Sequence, residues 1–179
     1  MSPIFSTYRS MLAFVLAVIL STASLSGIGL DSVGFRLGLD DEEGDHFTGY
    51  EAFGTFEPFW SWDLSERNTL ATTLETAVGV IRGNSDTAGY LRFGAAAHLS
   101  LGELPLSVTV NTGIQVLTED TFGNFDLGGN FNFSSGIGID WHLNEDWIVA
   151  YRFQHTSNAS LYDTNPGLDL HSFSIAYKF

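Results

Sequence analysis

His155-Thr156-Ser157-Asn158 brings an imidazole, a hydroxyl and a carboxamide together in one short run, and Asp169 adds a carboxylate further on. A serine becomes a nucleophile when a histidine takes its proton and a carboxylate holds the imidazole in the right tautomer. The chemistry available to this set is therefore acyl transfer, with His155 as base, Ser157 as nucleophile and Asp169 as acid. Asn158, next to the serine, can donate its amide to a developing oxyanion. In an extended chain, residues two apart share a face and lie about 6.5–7 Å from each other, so His155 and Ser157 can meet. Neighbouring strands are about 4.8 Å apart, so Asp169 reaches the far side of the ring if the register sets it opposite His155.

The elements that must position these groups are two strands of one hairpin. Backwards from His155 the alternation runs Phe153, Tyr151, Val149 and Trp147; forwards from Asp169 it runs His171, Phe173, Ile175, Tyr177 and Phe179. Apolar, aromatic rows of this kind are what a lipid-facing barrel wall requires. A serine two residues after a histidine is ordinarily loop-edge polarity, and an aspartate opening a strand is ordinarily a solvated turn residue. Their parity is the unusual feature, because polar groups on a lipid-facing row are costly. It points to a membrane-embedded substrate.

Six further segments carry the same period-2 pattern, the signature of a transmembrane barrel. They run from about Ser32 to Asp40, Phe47 to Trp60, Thr69 to Ile81, Ala88 to Leu99, Pro105 to Leu117 and Asn130 to His142. The second alternates poorly, and Pro58 suits its end rather than its interior. With the C-terminal hairpin these predict an all-β fold, an eight-stranded antiparallel transmembrane β-barrel. The inward set is small and polar and includes Arg36, Glu75, Arg92 and Asp140, which can pair across a lumen filled by side chains. Short connections near Leu101-Gly102-Glu103 and Asn144-Glu145-Asp146 suit the periplasmic side. Longer acidic ones at 40–45, 118–129 and 158–167 suit the outer side, which places the His-x-Ser row near the outer leaflet. The connection Ser61 to Asn68 falls on the periplasmic side and is long for it.

Arg9, an apolar run from Met11 to Ile19 and the small residues Ser21-Thr22-Ala23 and Ser24-Leu25-Ser26 predict a signal peptide over 1–26, leaving 27–179 as the barrel domain. The apolar run is shorter than the about 20 residues that a membrane helix needs. The chain has a net charge of −14 and no cysteine. Its acidity argues against nucleic-acid binding, which calls for a basic surface. His46, His98, His142 and His171 lack zinc-type spacing, and the acidic first loop lacks the spacing of a calcium loop. No metal or organic cofactor is expected. The sequons at Asn132 and Asn158 are read as accidental.

The run Tyr151-Arg152-Phe153-Gln154-His155-Thr156-Ser157-Asn158-Ala159, continued through Asn165-Pro166-Gly167 to Asp169, resembles the signature of PagL-type lipid A 3-O-deacylases. In that family a His-x-Ser-Asn motif is followed, twelve positions after the serine, by an acidic residue that is usually glutamate. The resemblance implies His155 as base, Ser157 as nucleophile, Asp169 as acid and Asn158 near the oxyanion hole. It also implies an eight-stranded barrel of the bacterial outer membrane acting on the ester-linked acyl chain at position 3 of lipid A, the anchor of lipopolysaccharide. The sequence departs from the pattern at Asp169, where the family usually has glutamate, and at Ser160, where it has glycine. Asp163 is the alternative acid. The rival readings are a non-enzymatic adhesin or structural barrel and a phospholipase or general lipid esterase; a homodimer is left open.

Overall fold

The computed structural model describes residues 29–40 and 46–179. The expected signal peptide and the acidic positions 41–45 lie outside the described residues. Strands form where the alternation predicts them: β1 (Leu30–Leu39), β2 (Thr48–Phe56), β3 (Trp60–Asp63), β4 (Thr69–Gly83), β5 (Asp86–Ser100), β6 (Leu106–Leu117), β7 (Thr121–Phe122), β8 (Phe125–Asp126), β9 (Phe131–His142), β10 (Trp147–Ser157) and β11 (Leu168–Lys178). All pairings are antiparallel. The eight long strands follow the order β2-β1-β11-β10-β9-β6-β5-β4, and the additional β2–β4 pairing closes the ring. A closed ring leaves no unpaired edge, which a bilayer demands.

Following the register once around the ring, Arg82, Thr48, Leu39, His171, Phe153, Ile137, Val110 and Ala97 lead back to Thr72, a stagger of ten residues on β4. Such a stagger tilts the strands steeply and keeps an eight-stranded lumen narrow enough for side chains to fill. The segment expected from Phe47 to Trp60 is two strands rather than one. Pro58 has no N–H to donate, so the ladder stops; the chain resumes as β3, which pairs only with β4. The connection before Asn68 is thus partly a hairpin continuing β4 beyond the barrel rim. The expected 118–129 loop likewise contains the small β7–β8 hairpin. At the same end Asn84 and Ser85 (φ 49° and 76°) make the tight turn between β4 and β5.

The wall separates two chemistries. Outward-facing positions expose Phe35, Leu37, Leu91, Phe93, Ile137, Ile139, Phe173 and Ile175, with Trp60, Trp62, Trp141, Trp147 and Tyr177 gathered towards the end that bears the short connections, as an interfacial aromatic belt does. At mid-height, Arg36, Arg92 and Arg152 meet Glu51 and Glu75, all buried. Arg92 Nη2 lies 2.7 Å from Glu51 and 2.9 Å from Glu75, while Arg36 Nη2 and Arg152 Nη1 are each 3.1 Å from Glu75. Arg36 also pairs with Glu51. Buried charges persist only in connected networks of this kind. The lumen is not polar throughout, however. Towards the long loops it is closed by Phe47, Ile81, Ala88, Leu117, Phe122, Leu127 and Leu168, all buried, with Phe122 inserted by the β7–β8 hairpin.

Candidate active site

The register sets His155 directly opposite Asp169. His155 Nδ1 stands 2.6 Å from Asp169 Oδ1, short enough for a charge-assisted hydrogen bond. Both side chains are on the outer wall, 46% and 37% exposed, in the row of Phe153 and Tyr151. Arg152, Gln154 and Thr156, at the intervening positions, are buried in the lumen. With Nδ1 donating to the carboxylate, Nε2 presents its lone pair to an incoming proton. Ser157 is the last residue of β10, half-buried on the same outward face and opposite Phe133. Its hydroxyl makes no hydrogen bond to His155 in this structure, as is common for catalytic pairs before substrate binds. Asp163, the alternative acid, lies exposed in the 158–167 loop, and the carboxylate bonded to the imidazole is that of Asp169.

The loop after β10 is shaped around this pair. Gly167 has φ +77°, and a Cβ there would come within 2.9 Å of His155 Cε1. Only glycine satisfies both the left-handed backbone and the approach to the ring. Ala159 and Ser160 also adopt left-handed conformations, with φ of 52° and 63°. Both positions therefore have a backbone that favours glycine.

Asn158 is fully buried. Its Nδ2 donates to Leu127 O at 2.8 Å and Thr164 O at 2.6 Å, and its main-chain N–H donates to Asn165 Oδ1 at 3.0 Å. The amide expected to serve an oxyanion is thus taken up in holding the loop. Asn158 ties the 118–130 loop to the 158–167 loop, and Gly128 (φ +85°) makes room, since a Cβ there would sit 2.7 Å from Asn158 Nδ2. His171, on the same face as Asp169, meets Tyr151, with Nδ1 2.7 Å from the phenol oxygen. The sequence signal for that pair was available: Tyr151 shares its period-2 face with His155, as His171 does with Asp169. The supporting roles of Asn165, Gly128 and Gly167 left no such signal, because loops have no parity.

Residues 47–178 match the family described as lipid A 3-O-deacylase (PagL). The lipid A deacylase PagL of Bordetella bronchiseptica (strain ATCC BAA-588 / NCTC 13252 / RB50) is 29% identical over 72 residues, 40% of this chain and 40% of that protein. The aligned part thus spans well under half of that relative. The crystal structure of the outer membrane enzyme PagL superposes with a TM-score of 0.69 at 18% identity, covering 81% of this chain and 97% of that one, a likeness of fold.

Proposed function

Since the chain belongs to the lipid A 3-O-deacylase (PagL) family, we propose that it is a serine esterase of the bacterial outer membrane that hydrolyses the acyl ester at position 3 of lipid A. The observation that carries this reading is the His155–Asp169 hydrogen bond on the outer wall, with Ser157 above it on the same lipid-facing row. A substrate held in the membrane meets that row directly, without entering the lumen.

In the proposed reaction, Ser157 Oγ attacks the ester carbonyl carbon while His155 Nε2 takes its proton. Asp169 holds the ring and stabilises the imidazolium. The tetrahedral intermediate collapses, the bond to the sugar 3-oxygen breaks, and His155 returns the proton to that oxygen. Water, deprotonated by His155, then releases the acyl chain from Ser157 as a carboxylic acid. The oxyanion is best served by main-chain N–H groups of the Ala159–Ser160 turn, which Asn158 anchors through Leu127 and Thr164.

The test is mass spectrometry of lipid A from cells expressing the wild type or Ser157→Ala, with heat-modifiable migration as the check on folding. The expected result is loss of the 3-linked acyl chain with wild type only. Unchanged lipid A beside a folded wild-type barrel would sink the proposal. Acyl loss from glycerophospholipids instead would transfer the same triad to a phospholipase.

A further inference from the structure

The outward faces of β6 and β9 are apolar from end to end except at one level. Thr112 stands between Val110 and Ile114 on β6, and Ser135 between Phe133 and Ile137 on β9. The register sets Thr112 opposite Ser135, and Ser135 opposite His155, which itself faces Asp169. Four polar side chains thus form one row across β6, β9, β10 and β11, all on the lipid-facing wall. Polar groups on that face are costly to keep. The chemistry at Ser157 accounts for His155 and Asp169, but not for Thr112 and Ser135. Both of these are exposed, and among the described residues neither hydroxyl has a hydrogen-bond partner.

Their position relative to the nucleophile limits what they can meet. Ser157 lies opposite Phe133, so Ser135 is its diagonal neighbour across the β9–β10 ladder, with Cα atoms about 7–8 Å apart. A group that reaches Ser135 while the ester is at Ser157 must branch from the substrate close to that ester. Thr112 is one strand further, about 4.8 Å away. In a glucosamine the 3-oxygen is borne on the ring carbon next to the one that carries the nitrogen. An acyl amide at position 2 therefore runs beside the ester-linked chain, at a separation close to one strand spacing, about 4.8 Å. On the far side of His155 the row ends in Asp169, whose carboxylate is taken by the imidazole, so the amide has its place on the β9 side. It brings one N–H and one carbonyl oxygen towards hydrocarbon, where a polar group without a partner is heavily penalised. A hydroxyl both accepts and donates, so the two of them can satisfy the N–H and the carbonyl.

Resting on the deacylase reading, we propose that Ser135 and Thr112 bind the amide at position 2 of the sugar, next to the scissile ester. Lipids whose ester has an amide-linked neighbour are thereby preferred. The two hydroxyls touch the substrate but take no part in the covalent steps. They stand on a wall open to lipid, so a substrate without the amide leaves no sealed polar group unpaired. The selectivity is therefore that of ordinary hydrogen bonds, about three- to tenfold, and not the far larger rejection of a sealed polar pocket.

The experiment uses the full barrel in mixed micelles and two synthetic lipids with the same ester-linked chain at position 3. At position 2 one carries an amide-linked chain and the other an ether-linked chain of equal length, which offers no N–H and no carbonyl and is not hydrolysed. Wild type should show kcat/KM about three- to tenfold higher on the amide lipid. Ser135→Ala combined with Thr112→Val makes the outer faces of both strands uniformly apolar. That double variant should lose the advantage through a lower rate on the amide lipid, with heat-modifiable migration confirming its fold. No preference in wild type would overturn the proposal, as would a folded double variant that keeps the preference or loses equally on both lipids. A folded wild type inactive on both would overturn the deacylase reading with it.

Discussion

Two histidine–aspartate pairs sit at opposite ends of this barrel and on opposite faces of its wall. His98 Nδ1 lies 3.0 Å from Asp140 Oδ2 in the lumen near the short connections, and His155 Nδ1 lies 2.6 Å from Asp169 Oδ1 on the outside near the long loops. The residue types are the same; what surrounds them differs. His98 is saturated: Nε2 meets Thr73 Oγ1 and Nδ1 also meets Thr109 Oγ1, each at 3.0 Å. Thr109 donates to the same Asp140 oxygen at 2.5 Å. Among the described residues His155 is hydrogen-bonded only to its aspartate, through Nδ1, and Nε2 is left open. An imidazole with both nitrogens engaged holds a structure together. One oriented by a carboxylate with its other nitrogen open can move a proton. The contact chemistry is shared, and parity and saturation divide the roles.

The largest effects should come from breaking the outer pair's row. Ser157→Ala and His155→Ala are each expected to lower lipid A deacylation by about 10³-fold or more, with the double variant scarcely worse, since the two act as a unit. His98→Ala should do the reverse, leaving activity per folded molecule nearly unchanged while lowering the thermal midpoint. It strips Asp140 and Thr73 of a partner, at about 1–3 kcal/mol for buried groups left unsatisfied. Deacylation rates beside thermal melts decide the matter. A His98 variant that is stable but inactive would erase the distinction between the pairs.

Removing the carboxylates sharpens the contrast. Asp169→Ala should be about a hundredfold less severe than loss of Ser157, because the acid orients and stabilises without bonding to substrate. Asp169→Glu should retain activity, as the family's usual residue. Gly167→Ala should cost about a hundredfold in rate, because its Cβ would press on His155 Cε1 from 2.9 Å and displace the ring. Measured kcat for folded protein checks all three. Full activity in Gly167→Ala would mean that the ring tolerates displacement. Full activity in Asp169→Ala would redirect the search for the acid to Asp163.

How much of this could be read from the chain follows from where periodicity exists. The parity of His155 and Asp169 with Phe153 and Phe173 was legible, because a strand assigns alternate residues to alternate faces. So was the luminal set Arg36, Glu75, Arg92 and Asp140. That His155 faces Asp169 was not legible. Register across the hairpin depends on how the 158–167 loop returns, and that turns on Gly167, Asn165 and the buried Asn158, none of which follows an alternation. For the same reason the apolar closure by Phe122 and Leu127 was not legible, since both side chains come from the 118–129 connection, whose two-residue strands are too short to show an alternation. The engagement of Asn158's amide by Leu127 and Thr164 escaped as well, because the partners are main-chain carbonyls, which sequence does not distinguish.

The smallest effect concerns a residue beside the outer pair that has no counterpart in the lumen. Ser160 sits at φ +63°, a conformation that costs an L-residue about 1–2 kcal/mol. Glycine removes that cost but gives the unfolded chain more freedom, returning about 0.4–1 kcal/mol. Ser160→Gly should therefore gain about 0.5 kcal/mol, a thermal shift of a few degrees at most. The main-chain N–H that the proposed oxyanion site uses is untouched, so deacylation should hold its wild-type rate. Thermal melts and initial rates on the same preparation test both halves. A drop in stability would show that the Ser160 side chain contributes more than its backbone costs. A drop in rate at unchanged stability would place the serine hydroxyl, rather than the turn, among the groups that meet the substrate.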